Sequence, residues 1–173
     1  MTDWTLSQAL SHAVGLPAQC YTDAALAQQE RSAIWRRSWQ LVAHAAALRQ
    51  PGDHVLAEVD DVPLIVLRDE HGTLRALHNV CRHRGGPLAT ENGCGLKQLR
   101  CRYHGWTYTL GGQLRSGPEL DAIEHFDRTQ VRLPAVSVAQ WQGLVYVALT
   151  AQVPAFEEVV DGIDARLAGV DLS

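Results

Sequence analysis

Apolar residues along this chain fall in short runs, and the period of the runs changes at two places. Thr22 and Asp23 read as an N-cap, and Leu26, Ile34 and Trp35 supply a patchy apolar face for a helix through about Arg37. From Trp39 onward the texture is β-like. Trp39–Ala43 reads as a strand and Pro51–Gly52 as a turn. Val55–Val59 and Val62–Leu67 flank Asp60–Asp61, which predicts a two-residue hairpin. Leu74–Val80 follows a turn at His71–Gly72. Leu96–Cys101, Thr107–Leu110 and Gln113–Arg115 continue the short-strand rhythm, with Gly111–Gly112 closing a tight turn, and Val131–Trp141 and Gly143–Leu149 finish it. Beyond Pro154, the residues Phe156, Val159, Val160, Ile163 and Leu167 share one helical face. The pattern predicts a mostly β, antiparallel sandwich or barrel, with a helix before and after it. Residues 1–38, 39–150 and 151–173 are the expected helical lead, β domain and closing linker helix.

Composition narrows the class. At 173 residues, with 46% hydrophobic and 20% charged, the chain can bury the core of one domain and is not disordered. Its apolar runs fall far short of the roughly 18 residues of a membrane span. Met1–Ala18 carries Asp3 and His12 and no basic stretch before an apolar one, so no signal peptide is expected. A net charge of −4 and a pI near 6.0 argue against broad nucleic-acid binding. The expectation is a cytoplasmic protein with neither membrane nor nucleic acid as partner.

The cysteines change the picture further. Without a secretory signal, metal binding is a better account of Cys20, Cys81, Cys94 and Cys101 than two disulfides. Cys81-Arg82-His83-Arg84-Gly85-Gly86-Pro87 and Cys101-Arg102-Tyr103-His104-Gly105-Trp106 reduce to C-x-H, seventeen residues, C-x-x-H. Each Cys–His pair follows a predicted strand, so two loops at one end of a β scaffold can converge on a metal centre. Incidental placement is one reading of these pairs. A structural Cys₂His₂ zinc site is a second, although such sites pair like with like, as C-x₂₋₄-C and H-x₃₋₅-H. A Rieske [2Fe–2S] cluster, with two Cys on one iron and two His on the other, is the third.

Asn79-Val80-Cys81-Arg82-His83-Arg84-Gly85 and Tyr103-His104-Gly105-Trp106-Thr107-Tyr108 carry a resemblance over about Glu30–Thr150. The chain resembles the N-terminal Rieske domain of the α (large) subunit of Rieske non-haem iron ring-hydroxylating oxygenases. The resemblance implies that Cys81 and Cys101 ligate the buried iron, and His83 and His104 the outer one. It implies a [2Fe–2S] cofactor that passes electrons from a ferredoxin or flavin reductase to a mononuclear iron. That iron would lie in an oxygenase catalytic domain or a neighbouring α-subunit. A mononuclear iron held by two His and a carboxylate cannot be drawn from the residues after His104, where His125 is the last histidine. The alternative is a standalone Rieske ferredoxin-like carrier.

The charge arithmetic agrees with that ligand set. Two ferric ions, two sulfides and two thiolates sum to zero beside neutral imidazoles, whereas four thiolates leave an anion that resists further reduction. Respiratory and photosynthetic Rieske proteins carry an extra cysteine in each loop and a serine two residues after the second histidine. Here Gly86, Tyr103 and Trp106 occupy those places, which points to the low-potential oxygenase type. Arg82, Arg84, Lys97, Arg100 and Arg102 form a basic cluster that could dock an acidic donor. Cys20 and Cys94 are expected to be free thiols, and His44, His54, His71, His78 and His125 surface or core residues.

Overall fold

β3 (Val62–Arg68) explains the layout, because Leu64, Ile65, Val66 and Leu67 are all fully buried. Successive side chains on a strand point to opposite faces. Leu64 and Val66 enter one core with Leu48, Val145 and Val147, while Ile65 and Leu67 enter another with Leu99, Tyr108 and both Cys81 and Cys101. A one-residue slip in pairing would exchange the two sets, so both cores fix the register. The unbroken apolar run of this strand is the signature of burial on two faces.

The computed structural model describes residues 15–167, 169 and 170. Expectations for the first fourteen residues and the last three lie outside that range. Six strands form an antiparallel sheet in the order β1 (Gln40–His44), β9 (Leu144–Ala148), β8 (Ala135–Trp141), β4 (Leu74–His78), β3, β2 (His54–Val59). β1 and β2, the two ends of that order, lie against each other, so the sheet is nearly closed. A second sheet of β5 (Leu99–Arg100), β6 (Thr107–Tyr108) and β7 (Leu114–Ser116) shares the core fed by Ile65 and Leu67.

The hairpin at Asp60–Asp61 forms as expected, both residues taking positive φ (49° and 61°). Several expected strands are shorter, Leu74–Val80 and Thr107–Leu110 among them, and two have plain causes. Pro134 has no N–H to donate, and β8 begins only at Ala135. Leu96 donates its N–H to Gly52 rather than to a neighbouring strand, and β5 begins at Leu99.

The flanking helices also differ from expectation. Asp23 caps α2 (Ala24–Ala33), accepting from the Ala25 and Leu26 amides, after the single turn of α1 (Gln19–Thr22). The helix stops at Ala33, and Trp35–Arg37 is a 3₁₀ turn. α2 buries no residue, and Ile34 and Trp35 are exposed. Arg31 and Arg36 instead pair with Asp60 and Asp61 at the hairpin tip. The C-terminal pattern yields two short helices, α3 (Phe156–Val160) and α4 (Ile163–Arg166), broken where Gly162 takes a φ of 71°. Phe156 packs against Trp39 and Tyr146, and Trp39 Nε1 donates to the Pro154 carbonyl.

Asp69 closes the turn between β3 and β4. Its carboxylate accepts from the amides of His71 and Thr73 and from Arg75 Nε, each at 2.9 Å. Burial alone would raise its pKa; the Arg75 guanidinium and the two amides outweigh that and hold it below the usual carboxylate value. A lowered folded pKa contributes stability above the unfolded value of about 3.9, which is lost as pH falls through the folded one. Asp69→Asn should therefore flatten the pH dependence of urea unfolding below about pH 4 and cost about 1–3 kcal/mol at pH 7. An unchanged acid limb would remove Asp69 from this role.

Candidate metal centre

The two Cys–His loops are built on one hydrogen-bond frame. In the first, the Cys81 amide donates to the Gly86 carbonyl (2.9 Å) and the Gly85 amide to the Cys81 carbonyl (3.0 Å). In the second, Cys101 donates to Trp106 (2.9 Å) and Gly105 to Cys101 (3.0 Å). The turn needs positive φ at its fifth residue, 72° at Gly85 and 76° at Gly105, where glycine is unstrained. The shared pattern is Cys-Arg-x-x-Gly, with histidine third in one loop and fourth in the other.

Asn79, just after β4, ties the first loop at its base. Its Oδ1 accepts from the Leu88 and Ala89 amides, both at 3.0 Å, and its Nδ2 donates to the Ala89 carbonyl at 2.8 Å. The segment between the loops is anchored to β2: His54 and Gly93 exchange backbone bonds, and Asn92 Oδ1 accepts from the Leu56 amide. Gly52 packs so closely here that a Cβ on it would lie 2.4 Å from the Leu96 carbonyl oxygen. Cys94, in this segment, is exposed and unpaired, and Cys20 is likewise a free thiol.

The loops bring all four candidate ligands to one end of the small sheet. Cys81 and Cys101 are each 3% exposed, within the core shared with Tyr108. His83 is exposed and His104 half-buried. The two imidazoles meet edge to face, their centroids 4.7 Å apart. Trp106 stacks on His83 at 4.9 Å, and Tyr103 stacks on His104 at 3.8 Å. His83, His104, Trp106, Pro118, Leu120 and Ile123 line a shallow cleft of about 400 Å³. Tyr103 beside it is 63% exposed.

Electrostatics suit a neutral His83 imidazole and a polarised Cys81 sulfur. Partial desolvation, the neighbouring His104 and the Arg84 charge push the His83 pKa down, favouring the form that binds metal. Tyr108 hydroxyl lies 3.3 Å from Cys81 Sγ and accepts from the Arg82 amide at 3.1 Å. Burial, then the Cys81 contact, pushes the Tyr108 pKa up, so its proton stays available to the sulfur. Sequence reading missed both Asn79 and Tyr108 as functional, although each stands inside the quoted motifs.

The donor set tests which metal group fits. A tetrahedral zinc ion needs four donors around one point. Among the described residues, no three His, Cys, Asp or Glu side chains converge in that way. Two buried sulfurs behind two outward imidazoles fit instead a group with two metal atoms and two donors on each. Gly86 supports the fit, because a Cβ there would lie 3.0 Å from Cys101 Sγ, in the space around the sulfur.

Residues 38–127, more than half of the chain, match the model of the Rieske [2Fe–2S] domain. The chain belongs to the Rieske domain family. This Rieske domain is 30% identical over 151 residues to the oxygenase subunit of carnitine monooxygenase from Acinetobacter baumannii, covering 87% of the chain and 41% of that protein. It is 34% identical to the α-subunit of biphenyl 2,3-dioxygenase from Rhodococcus jostii, covering 80% and 30%. It superposes on a quaternary ammonium Rieske monooxygenase with a TM-score of 0.81 and 31% identity, covering 86% of this chain and 41% of that one. That structure is described as giving insight into carnitine oxidation and inter-subunit electron transfer. The Rieske domain thus spans about three to four tenths of the length of the curated relatives it matches, in their N-terminal portion. Rieske domains bind a [2Fe–2S] cluster.

Proposed function

We propose that Cys81 and Cys101 hold the inner iron of the cluster and His83 and His104 the outer one. The chain then delivers electrons as part of a Rieske oxygenase α-subunit, working in the cytoplasm. The observation that carries this is the division of the four donors, two sulfurs inside the core and two adjoining imidazoles at the surface. When bound, the cluster supplies storage of one electron at a time.

The residues of the chain do the rest. Cys81 and Cys101 bind as thiolates inside a dry core, and the Tyr108 hydroxyl donates to Cys81 Sγ. His83 and His104 bind through one ring nitrogen each and keep the other for a proton or a partner. Arg82, Arg84, Arg100 and Arg102 are exposed around the loops. Among the described residues, none of them pairs with a carboxylate, since the ion pairs are those of Arg31, Arg36 and Arg75. That surface suits an acidic ferredoxin or flavin reductase as donor. Monooxygenases and dioxygenases resemble the chain to a similar degree, which fits a step common to both, electron delivery to a mononuclear iron.

The test is metal and spectral analysis of the purified chain. Two irons and two labile sulfides per chain, with visible absorption bleached by dithionite, are expected. Stoichiometric zinc without visible absorption would end the reading. The reduction potential should lie near the low end of the Rieske range, about −150 mV. Tyr108→Phe should lower it further by removing one hydrogen bond to sulfur. A value unchanged in Tyr108→Phe would show that this hydroxyl does not tune the site.

A further inference from the structure

Behind the second loop, the small sheet carries a cleft into which the basic surface around the loops continues through Arg100. Arg100 pairs across the sheet with Thr107, and Thr107 with Ser116, so the three residues share a face. With Gln98, Gly105 and Gly117 they line a depression of about 360 Å³. Thr107 spends its hydroxyl on the Gly105 carbonyl at 3.0 Å. Among the described residues, the guanidinium of Arg100, the hydroxyl of Ser116 and the amide of Gln98 have no hydrogen-bond or ion-pair partner. Among the described residues, no carboxylate lines the cleft, and Arg102 adds a second positive charge in the adjoining hollow. Glu119 belongs to the neighbouring cleft on the imidazole side.

Three uncommitted donors, two of them neutral and one a planar cation, suit an anion with several oxygens. We propose that the Gln98–Arg100–Ser116 cleft is an oxyanion site, taking a phosphate or a carboxylate group. Its position gives it a consequence. Arg100 Nη2 lies 3.8 Å from the point that a Cβ on Gly105 would occupy, and Gly105 directly follows His104. An anion seated on Arg100 therefore lies close to the candidate outer iron ligand. Reduction adds one negative charge there, so the anion binds the oxidised chain more tightly. Linkage then requires that the bound anion lower the reduction potential. This second part rests on the proposed cluster ligands; the binding itself does not.

The test uses the full iron-loaded chain at constant ionic strength in chloride buffer. Calorimetric titration of the oxidised protein with inorganic phosphate should reveal one saturable site. Arg100→Gln should weaken it by about ten-fold or more, and Ser116→Ala by about five-fold, with the visible spectrum unchanged in both. A parallel titration with a glutamate hexapeptide separates the sources. Saturation by phosphate identifies a solute anion. Saturation by the hexapeptide alone, again weakened in Arg100→Gln, identifies a protein carboxylate. Each ten-fold loss of affinity on reduction appears as a fall of 59 mV in the potential at saturation. A potential constant through saturation overturns the coupling. A normal visible spectrum with no saturable binding, or binding indifferent to both substitutions, overturns the site and leaves the cluster ligands standing.

Discussion

Replacing His83 or His104 by alanine should abolish the visible absorption of the iron-loaded chain, and Cys94→Ala should leave it unchanged. The contrast follows from where the side chains lie. The two imidazoles adjoin at 4.7 Å on loops whose cysteines are buried together. Cys94 is exposed on the connecting segment, beside a bridge between His54 and Gly93. On the proposed ligand set, removing one outer donor would leave an iron with a single protein ligand, which solvent and chelators can strip. Cys81→Ser and Cys101→Ser should be equally severe. Iron and sulfide analysis reads the result. Two irons with an unaltered spectrum in His83→Ala would exclude it as a ligand.

Asn79→Ala should be the most damaging change outside the four donors. Three backbone groups, the Leu88 and Ala89 amides and the Ala89 carbonyl, lose their partner at once. Each orphaned buried group costs about 1–3 kcal/mol, and water entering the vacated space recovers part of it. A net loss of about 3 kcal/mol in urea unfolding is expected, together with faster iron release. Asn79→Asp keeps the acceptor and loses the donor, so it should fall between. A loss below about 0.5 kcal/mol in Asn79→Ala would mean that the first loop holds its shape without this anchor.

Much of this was legible in the chain itself, for identifiable reasons. The strands β2 and β3 and their Asp60–Asp61 turn follow from short β-rich apolar runs and turn chemistry, which act locally. The four candidate ligands stood out because metal binding restricts residue type and spacing together. Asn79 and Tyr108 did not, since their roles depend on chain segments brought near by folding. The split of β3 between two cores was also hidden, because an unbroken apolar run says that both faces are buried and not what covers each. Helices form at both ends, and their extent differs from the expected one for separate reasons. Leu26, Ile34 and Trp35 offer only a patchy apolar face; α2 buries nothing, and Arg31 and Arg36 tether this segment to the hairpin tip by charge. In the C-terminal pattern, Gly162 interrupts a periodicity that reads as continuous on the page.

The pairing of Arg31 and Arg36 with the hairpin tip should make the chain open at two separate thresholds. The Asp60 side chain is fully enclosed, whereas the arginines are 41% and 51% exposed and Asp61 is 72% exposed, so added salt reaches the arginines and Asp61 first. Amides of α2 should then exchange with deuterium through local opening that quickens with ionic strength. Those of β3, shared by both cores, should exchange only when the whole sheet comes apart. A protease added in high salt would accordingly cut before Trp39 and leave the β domain with its colour.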